Sequence, residues 1–264
     1  ADQRHAEIII KQFELETTTT LSSPGEKVDP KRCSAEDLSE LSATQATIYR
    51  GLVARANYLS QDRSDIKFAV KTLAKWMSKP RKVDMKGLIH LGRYLKGKVR
   101  VVNEMNYQKR WKIMDIWCDT DHAGCPWSRK STSGGVVMFG AHSIKYWSST
   151  QAIISLSSGE AEYYGCVKAG STGLGLQALL KDLGIGVDRI RIKTDASVAK
   201  SLAARRGLGG IKHLETNQLW LQEKVYMGKI EMEKVHTSVN RADPLTKDKD
   251  AQVVKRHLEW TSQR

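Results

Sequence analysis

WKIMDIWCDTDHAG, residues 111–124, is the stretch whose reading decides the fold. Residues 111–118 have the apolar, β-favouring content of a strand, and two carboxylates, Asp119 and Asp121, follow before a polar loop. Downstream, 134–139 (GGVVMF) and 143–148 (SIKYWS) read as two more strands joined at Gly140–Ala141. Strands so closely linked form an antiparallel meander. Residues 158–182 then read as helix, 189–194 (RIRIKT) as an alternating strand and 196–204 as a short helix. A helix over 211–227, a strand over 229–236 and a mostly helical 242–260 complete the pattern. Three antiparallel strands followed by strand–helix crossovers predict an α/β fold: a mixed five-stranded sheet with helices on both faces. The first and fourth strands are then neighbours. The tryptophans at 111, 117 and 147 fall in strands and read as core, and Trp220 as helix packing.

Four acidic residues close or open these elements. Asp119 ends the first strand, where ligands gather in open α/β sheets. Asp121 lies on the same face, two residues on; Asp119 is nearer the strand body and better fixed. In SSGEAE, Ser157 and Glu160 have capping-box spacing, which gives Glu160 a structural job. Glu162, further into the helix, is the better ligand. Asp195 follows RIRIKT and reads equally as the N-cap of the next helix. Asp243, before Pro244, reads as a metal ligand or as a cap. Four carboxylates converging on one sheet edge suit two divalent cations about 3.5–4 Å apart. Oxygen donors suit Mg²⁺ or Mn²⁺.

Upstream the character differs. Residues 4–15 read as a short amphipathic helix and 16–47 as a linker broken at Pro24–Gly25. Residues 49–78 carry apolar positions at spacings of three and four, interrupted at Asp62–Arg63–Ser64, with Ser64 as a candidate cap for the second helix. Residues 84–96 make another helix with Lys86, Arg93 and Lys96 outside. The net charge of +14 is uneven: −4 over residues 1–48, +12 over 49–110 and +6 over the rest. So dense a basic block points to a polyanion, because Lys and Arg contacts to phosphates dominate non-specific nucleic-acid affinity. Cys33, Cys118, Cys125 and Cys166 lack CxxC spacing, so reduced thiols are expected rather than zinc or disulfides. No apolar run reaches the ~18–20 residues of a membrane span, and no secretory signal opens the chain. An intracellular, non-secreted protein is expected. The first residue is Ala rather than Met, which reads as a processed piece or a fragment.

Several long motifs carry a resemblance. YRGLVARANYLSQDRSDIKFAVKTLAKWMSKP, HLGRYLKGK, CDTDHAGCPWSRKSTSGG, KYWSSTQAIISLSSGEAEYYG, KTDASVAKSLA, IKHLETNQLWLQEKVYMGKI and NRADPLTK stand in order over about 49–247. The chain resembles the C-terminal part of a Ty1/copia-type retrotransposon polyprotein, the end of its reverse transcriptase plus its ribonuclease H domain. The resemblance implies a ribonuclease H-like domain at 111–264, a thumb- or connection-like segment at 49–110 and the end of the polymerase palm at 1–48. By that resemblance, Asp119, Glu162, Asp195 and Asp243 are the catalytic, metal-binding quartet. The implied activity is cleavage of the RNA strand of RNA–DNA hybrids, leaving a 5′-phosphate and a 3′-hydroxyl, inside a virus-like particle or the nucleus. Partners would be the hybrid and the rest of the polyprotein, with no membrane. Arg129, Lys130, Ser131, Ser158, Lys212, His213, Arg93 and Lys96 are candidate nucleic-acid contacts. The aromatic-x-Asp-Asp polymerase signature is absent, so DNA synthesis by this chain alone is not expected. His236 stands seven residues before Asp243 and reads as a partly buried histidine. The rival reading is an inactive, retrotransposon-derived binding module.

Overall fold

A computed structural model describes residues 2–109, 111–207 and 219–264. It divides into two compact units, Ala1–Glu104 with Lys247–Arg264, and Met105–Thr246. Compactness thus divides the chain differently from composition, which places breaks near 48 and 110.

The first unit is helical: α1 (Arg4–Gln12), α2 (Ala43–Leu59), α3 (Lys67–Ala74) and α4 (Lys82–Gly97), closed by a C-terminal helix (Ala251–Trp260). Helix α2 starts six residues before the expected 49 because Ser42 and Gln45 form a capping box, each side chain accepting from the other's backbone N–H at 3.3 Å. Tyr49, Leu52, Val53, Leu59, Ile66, Leu88, Leu91 and Leu95 form the core with Ile9 and Val254. The break at 62–64 is real, but it is a buried break. Arg63 is fully buried and pairs with Asp65 at 2.6 Å. Its Nη1 donates to Lys98 O at 2.7 Å, and Tyr94 Oη donates to Asp65 at 2.7 Å. Ser64 does not cap α3; its hydroxyl donates to Gln263. Residues 16–41 hold only short 3-10 turns, tied down by basic side chains. Arg93 Nε donates to Thr19 O at 2.9 Å, and Lys96 Nζ to Thr18 O.

The second unit holds the sheet: β1 (Ile113–Asp121), β2 (Thr132–Phe139), β3 (His142–Thr150), β4 (Arg189–Thr194) and β5 (Ile230–Lys234). Their order is β3-β2-β1-β4-β5. β1 pairs antiparallel with β2 and parallel with β4; β2–β3 is antiparallel and β4–β5 parallel. This is the mixed five-stranded sheet expected from the sequence, with the first and fourth strands as neighbours. Helices α5 (Ser158–Asp182), α6 (Ser197–Ala204) and α7 (Trp220–Tyr226) cover one face, over Met114, Ile116, Cys118, Ile190 and Ile192. On the other face Trp117, Val136 and Met138 pack with Ala242 and Leu245. There the chain makes a 3-10 turn, Asp243–Leu245, instead of entering the long helix expected from 242; Asp250 caps the α-helix, α8, that begins at Ala251. Trp117 and Trp147 are buried as expected, but Trp111 precedes β1 and is 49% exposed. Residues 211–218 of the expected helix lie outside the described residues. Among the described residues no helix is long and apolar enough to cross a membrane.

Candidate metal centre

The register of β1 on β4 builds the site. The last parallel pair is Trp117–Lys193, and Asp119 and Asp195 stand two residues beyond it on each strand. Helix α5 brings Glu162 to the same place. It can approach closely because residue 165, one turn on, is glycine: a Cβ there would lie 2.5 Å from Thr120 Oγ1. One carboxylate oxygen from each of Asp119, Glu162 and Asp195 then lies within 4.8 Å of the others.

Two further side chains hold this arrangement. Asn240 is buried, and its amide NH₂ is shared among Cys118 O at 3.0 Å, Asp195 Oδ1 at 3.4 Å and Asp119 Oδ1 at 3.5 Å. Thr246 Oγ1 donates to Asp119 Oδ2 at 2.5 Å. The 3-10 turn carrying Thr246 reaches Asp119 by lying on Gly134, the β2 partner of Asp119. A Cβ at 134 would come within 2.8 Å of both Leu245 and Thr246, so the approach requires glycine.

The electrostatics are unfavourable without a cation. Burial, then the charges of Asp119, Cys166 and Asp195, push the Glu162 carboxyl up to about 9 against a weak opposing bond from the Thr120 backbone. Glu162 is only partly shielded as a residue, but its Oε2 is sealed from solvent and has no hydrogen-bond partner. A buried carboxylate oxygen without a donor, facing two more carboxylates, fits a divalent cation held by oxygen ligands. Beneath the site the Cys118 and Cys166 thiols lie 3.6 Å apart, buried and reduced.

The structure sorts the other candidates. Asp243 is not one of the three clustered carboxylates; it opens the turn, and its carbonyl lies 2.9 Å from Thr246 Oγ1. The N-cap of α6 is Ala196 and carries no side-chain bond, so the alternative role of Asp195 as a cap is not realised. Glu160 is structural, with a partner other than the expected one: Ser157 Oγ accepts from Glu160 N, but the Glu160 carboxylate accepts from Leu156 N and Tyr164 Oη, both at 2.8 Å. Ser131 is fully buried, its Oγ accepting from Ala123 N, and does not reach a phosphate from there. Arg129 is exposed at φ +56°, Lys130 donates to Ala152 O at 2.6 Å, and Ser158 is exposed at the start of α5. Arg93 and Lys96 secure residues 18–19 in the other unit. Lys212 and His213 lie outside the described residues. His236 is exposed rather than partly buried, its Nδ1 accepting from Ser238 N at 3.2 Å. Asn240 and Thr246 are not among the sequence candidates, although both lie inside or beside the NRADPLTK motif.

Over 208 residues, 77% of its length, the chain is 29% identical to the "Retrovirus-related Pol polyprotein from transposon RE1" of Arabidopsis thaliana. Over 251 residues, 94% of its length, it is 24% identical to the corresponding polyprotein from transposon TNT 1-94 of Nicotiana tabacum. The chain is thus similar to retrovirus-related Pol polyproteins of plant transposons. It spans 14% and 19% of the length of these two relatives. No protein-family profile matches it. Among solved structures, it resembles the N-terminal RNase H domain of Rv2228c from Mycobacterium tuberculosis, at 17% identity and a TM-score of 0.36, over 56% of this chain and 96% of that one. It also resembles LC11-RNase H1 in complex with RNA/DNA hybrid, at 17% identity and a TM-score of 0.34, over 55% and 99%. At scores this low the neighbours add nothing to the strand order, on which the fold stands.

Proposed function

We propose that the sheet unit is a ribonuclease H that hydrolyses the RNA strand of RNA–DNA hybrids, within the reverse transcription of a Ty1/copia-type retrotransposon. One observation carries the reading: three carboxylates from β1, α5 and the end of β4 meet within 4.8 Å, with a buried oxygen of Glu162 lacking any donor. Asp119, Glu162 and Asp195 would hold two Mg²⁺ or Mn²⁺ ions, and Asp243 would complete the set. Two such ions supply Lewis acidity at the attacking water and at the leaving 3′ oxygen of an in-line displacement. Thr246 and Asn240 keep Asp119 turned so that its oxygens do not swing away from the site. The relatives' names, retrovirus-related Pol polyproteins, support the same reading. Residues 49–110, at +12, would supply grip on nucleic-acid phosphates, and 2′-OH contacts would select the hybrid.

The deciding experiment is cleavage of an end-labelled RNA–DNA hybrid with Mg²⁺, set against duplex DNA and duplex RNA. Hybrid-specific, Mg²⁺-dependent cleavage is expected, with loss in Asp119→Asn. Hybrid binding with no cleavage under Mg²⁺ or Mn²⁺ would leave the chain a binding module.

A further inference from the structure

A cavity of about 360 Å³ in the sheet unit lies between the end of β3 and helix α5. Ser133, Ser149, Thr150, Gln151, Lys168 and Ser171 supply its polar lining, and no carboxylate is among the residues around it. The floor is fixed by Gln151, which is buried and fully used. Its Nε2 donates to Ser133 Oγ at 2.9 Å and to Ala161 O at 2.8 Å, and its Oε1 accepts from Ser155 Oγ at 2.9 Å.

Lys168 has the unusual position. Its Nζ donates to Ser149 Oγ and makes no ion pair among the described residues. An ammonium carries three N–H donors, so two remain for a further acceptor. Burial first, and Lys145 second, hold Lys168 below the usual ammonium range. A third cation stands at the edge, where Lys130 Nζ bonds to the carbonyl of Ala152, itself part of the lining. Ser149 Oγ and Ser171 Oγ already donate to the carbonyls of Ser133 and Lys168, so the spare donors are those of the Lys168 ammonium; set in a serine- and threonine-lined cavity without an acid, they describe a receptor for a compact oxyanion. Ser149 pairs with Ser133 on β2, and Ser133 with Thr120 beside Asp119 on β1, so the Ser149–Lys168 pair lies two strands, about 10 Å, from the end of β1 that carries Asp119. Nucleic acid crossing the carboxylates would have a backbone phosphate near that pair.

We infer that the Ser149–Lys168 cavity is a phosphate subsite, taking one phosphodiester group of the bound nucleic acid and fixing its register over the three carboxylates. The inference rests on the nucleic-acid reading given above. Its chemistry is shared with free phosphate, so the test separates the two sources.

The test measures binding of a fluorescein-labelled RNA–DNA hybrid by the full chain, by anisotropy across a KCl series without divalent cation. Lys168→Gln should weaken binding several-fold at low salt and reduce the slope of log K against log salt by about 0.9, the share of one phosphate contact. Lys168→Arg should restore both values, and Mn²⁺ affinity by calorimetry should be unchanged in either variant. An unchanged slope in Lys168→Gln, beside a wild-type chain that binds, overturns the subsite. Failure of Lys168→Arg to rescue marks the loss as structural and also overturns it. Inorganic phosphate, followed by ³¹P line width, gives the other arm. Phosphate binding lost in Lys168→Gln with an unaltered hybrid slope assigns the cavity to free phosphate and overturns the nucleic-acid assignment. A wild-type chain that binds no hybrid brings down the functional reading itself, and this subsite with it.

Discussion

Asp65 in the helical unit and Glu162 in the sheet unit both hold carboxylate oxygens away from water, and their surroundings are opposite. Burial pushes the Asp65 carboxyl up, but the Arg63 guanidinium and the Tyr94 hydroxyl outweigh it and hold it below the ordinary range. Burial pushes Glu162 up as well, and there the neighbouring charges, Asp119 and Asp195, push the same way. The first site carries its own cation and is complete as folded. The second gathers negative charge around an unpaired oxygen, which is stable only if a proton or a metal arrives. A buried carboxylate is a structural device when its counter-charge is built in, and a binding device when it is left out.

The sharpest way to break this contrast is at the strand end. Asp119→Asn should abolish hybrid cleavage, since it removes a ligand, while its metal-free circular-dichroism melt stays at or above that of wild type. Cleavage within threefold of wild type would remove Asp119 from the chemistry. The converse change is Arg63→Met, which leaves Asp65 buried without its paired guanidinium. It should cost about 3–5 kcal/mol in urea unfolding of the helical unit, and combining it with Asp65→Leu should recover most of the loss. If the double change is no better than the single, the pair is not the source of the loss.

A smaller effect should come from the side chains that hold the carboxylates. Asn240→Ala and Thr246→Val should each lower Mn²⁺ affinity about 10–100-fold by calorimetry, and Thr246→Ser should not. A loss in the Ser variant equal to that in Val would show that the hydroxyl bond alone is not what holds Asp119. A further effect is one of pH. Glu162 ionises near 4.5 when unfolded and near 9 when folded, so the folded state binds more protons between those values. Without metal, the stabilising contribution of protonated Glu162 is complete below about 4.5 and falls as pH rises towards 9. The melting temperature should therefore drop by about 5 °C or more over that range. Glu162→Gln should flatten the curve. Asp65, held low, contributes in the other direction: its share is present at neutral pH and is lost on acidification.

Much of this is legible in the sequence, for identifiable reasons. Alternation in RIRIKT and the apolar run around 113–118 mark two adjacent strands, and strand ends are where ligands sit; Asp119 and Asp195 follow. Glu162 is separable from Glu160 because capping consumes a glutamate in the first turn. Asn240 and Thr246 are not legible, since their bonds span 122 and 127 positions and depend on a tight contact over Gly134. The one available signal is the Gly134–Gly135 pair inside an otherwise apolar strand. Arg63 looks like loop punctuation because nothing local announces a partner for a buried guanidinium. Trp111 looks like core because strand-like composition begins two residues before the strand itself. The last helix seems to begin early because Pro244 opens a 3-10 turn as readily as an α-helix.

The close lie of the Asp243–Leu245 turn on Gly134 also bears on how the site can be lost by mutation. Every missense change at a glycine codon adds a side chain, and at position 134 any side chain drives a wedge between β2 and the turn that carries Thr246. Strand pairing survives such a wedge, because β2 keeps its backbone bonds to both neighbours. A single substitution there would therefore cost the chain its Thr246–Asp119 bond before it cost the fold, leaving a folded, basic protein with a loosened carboxylate cluster.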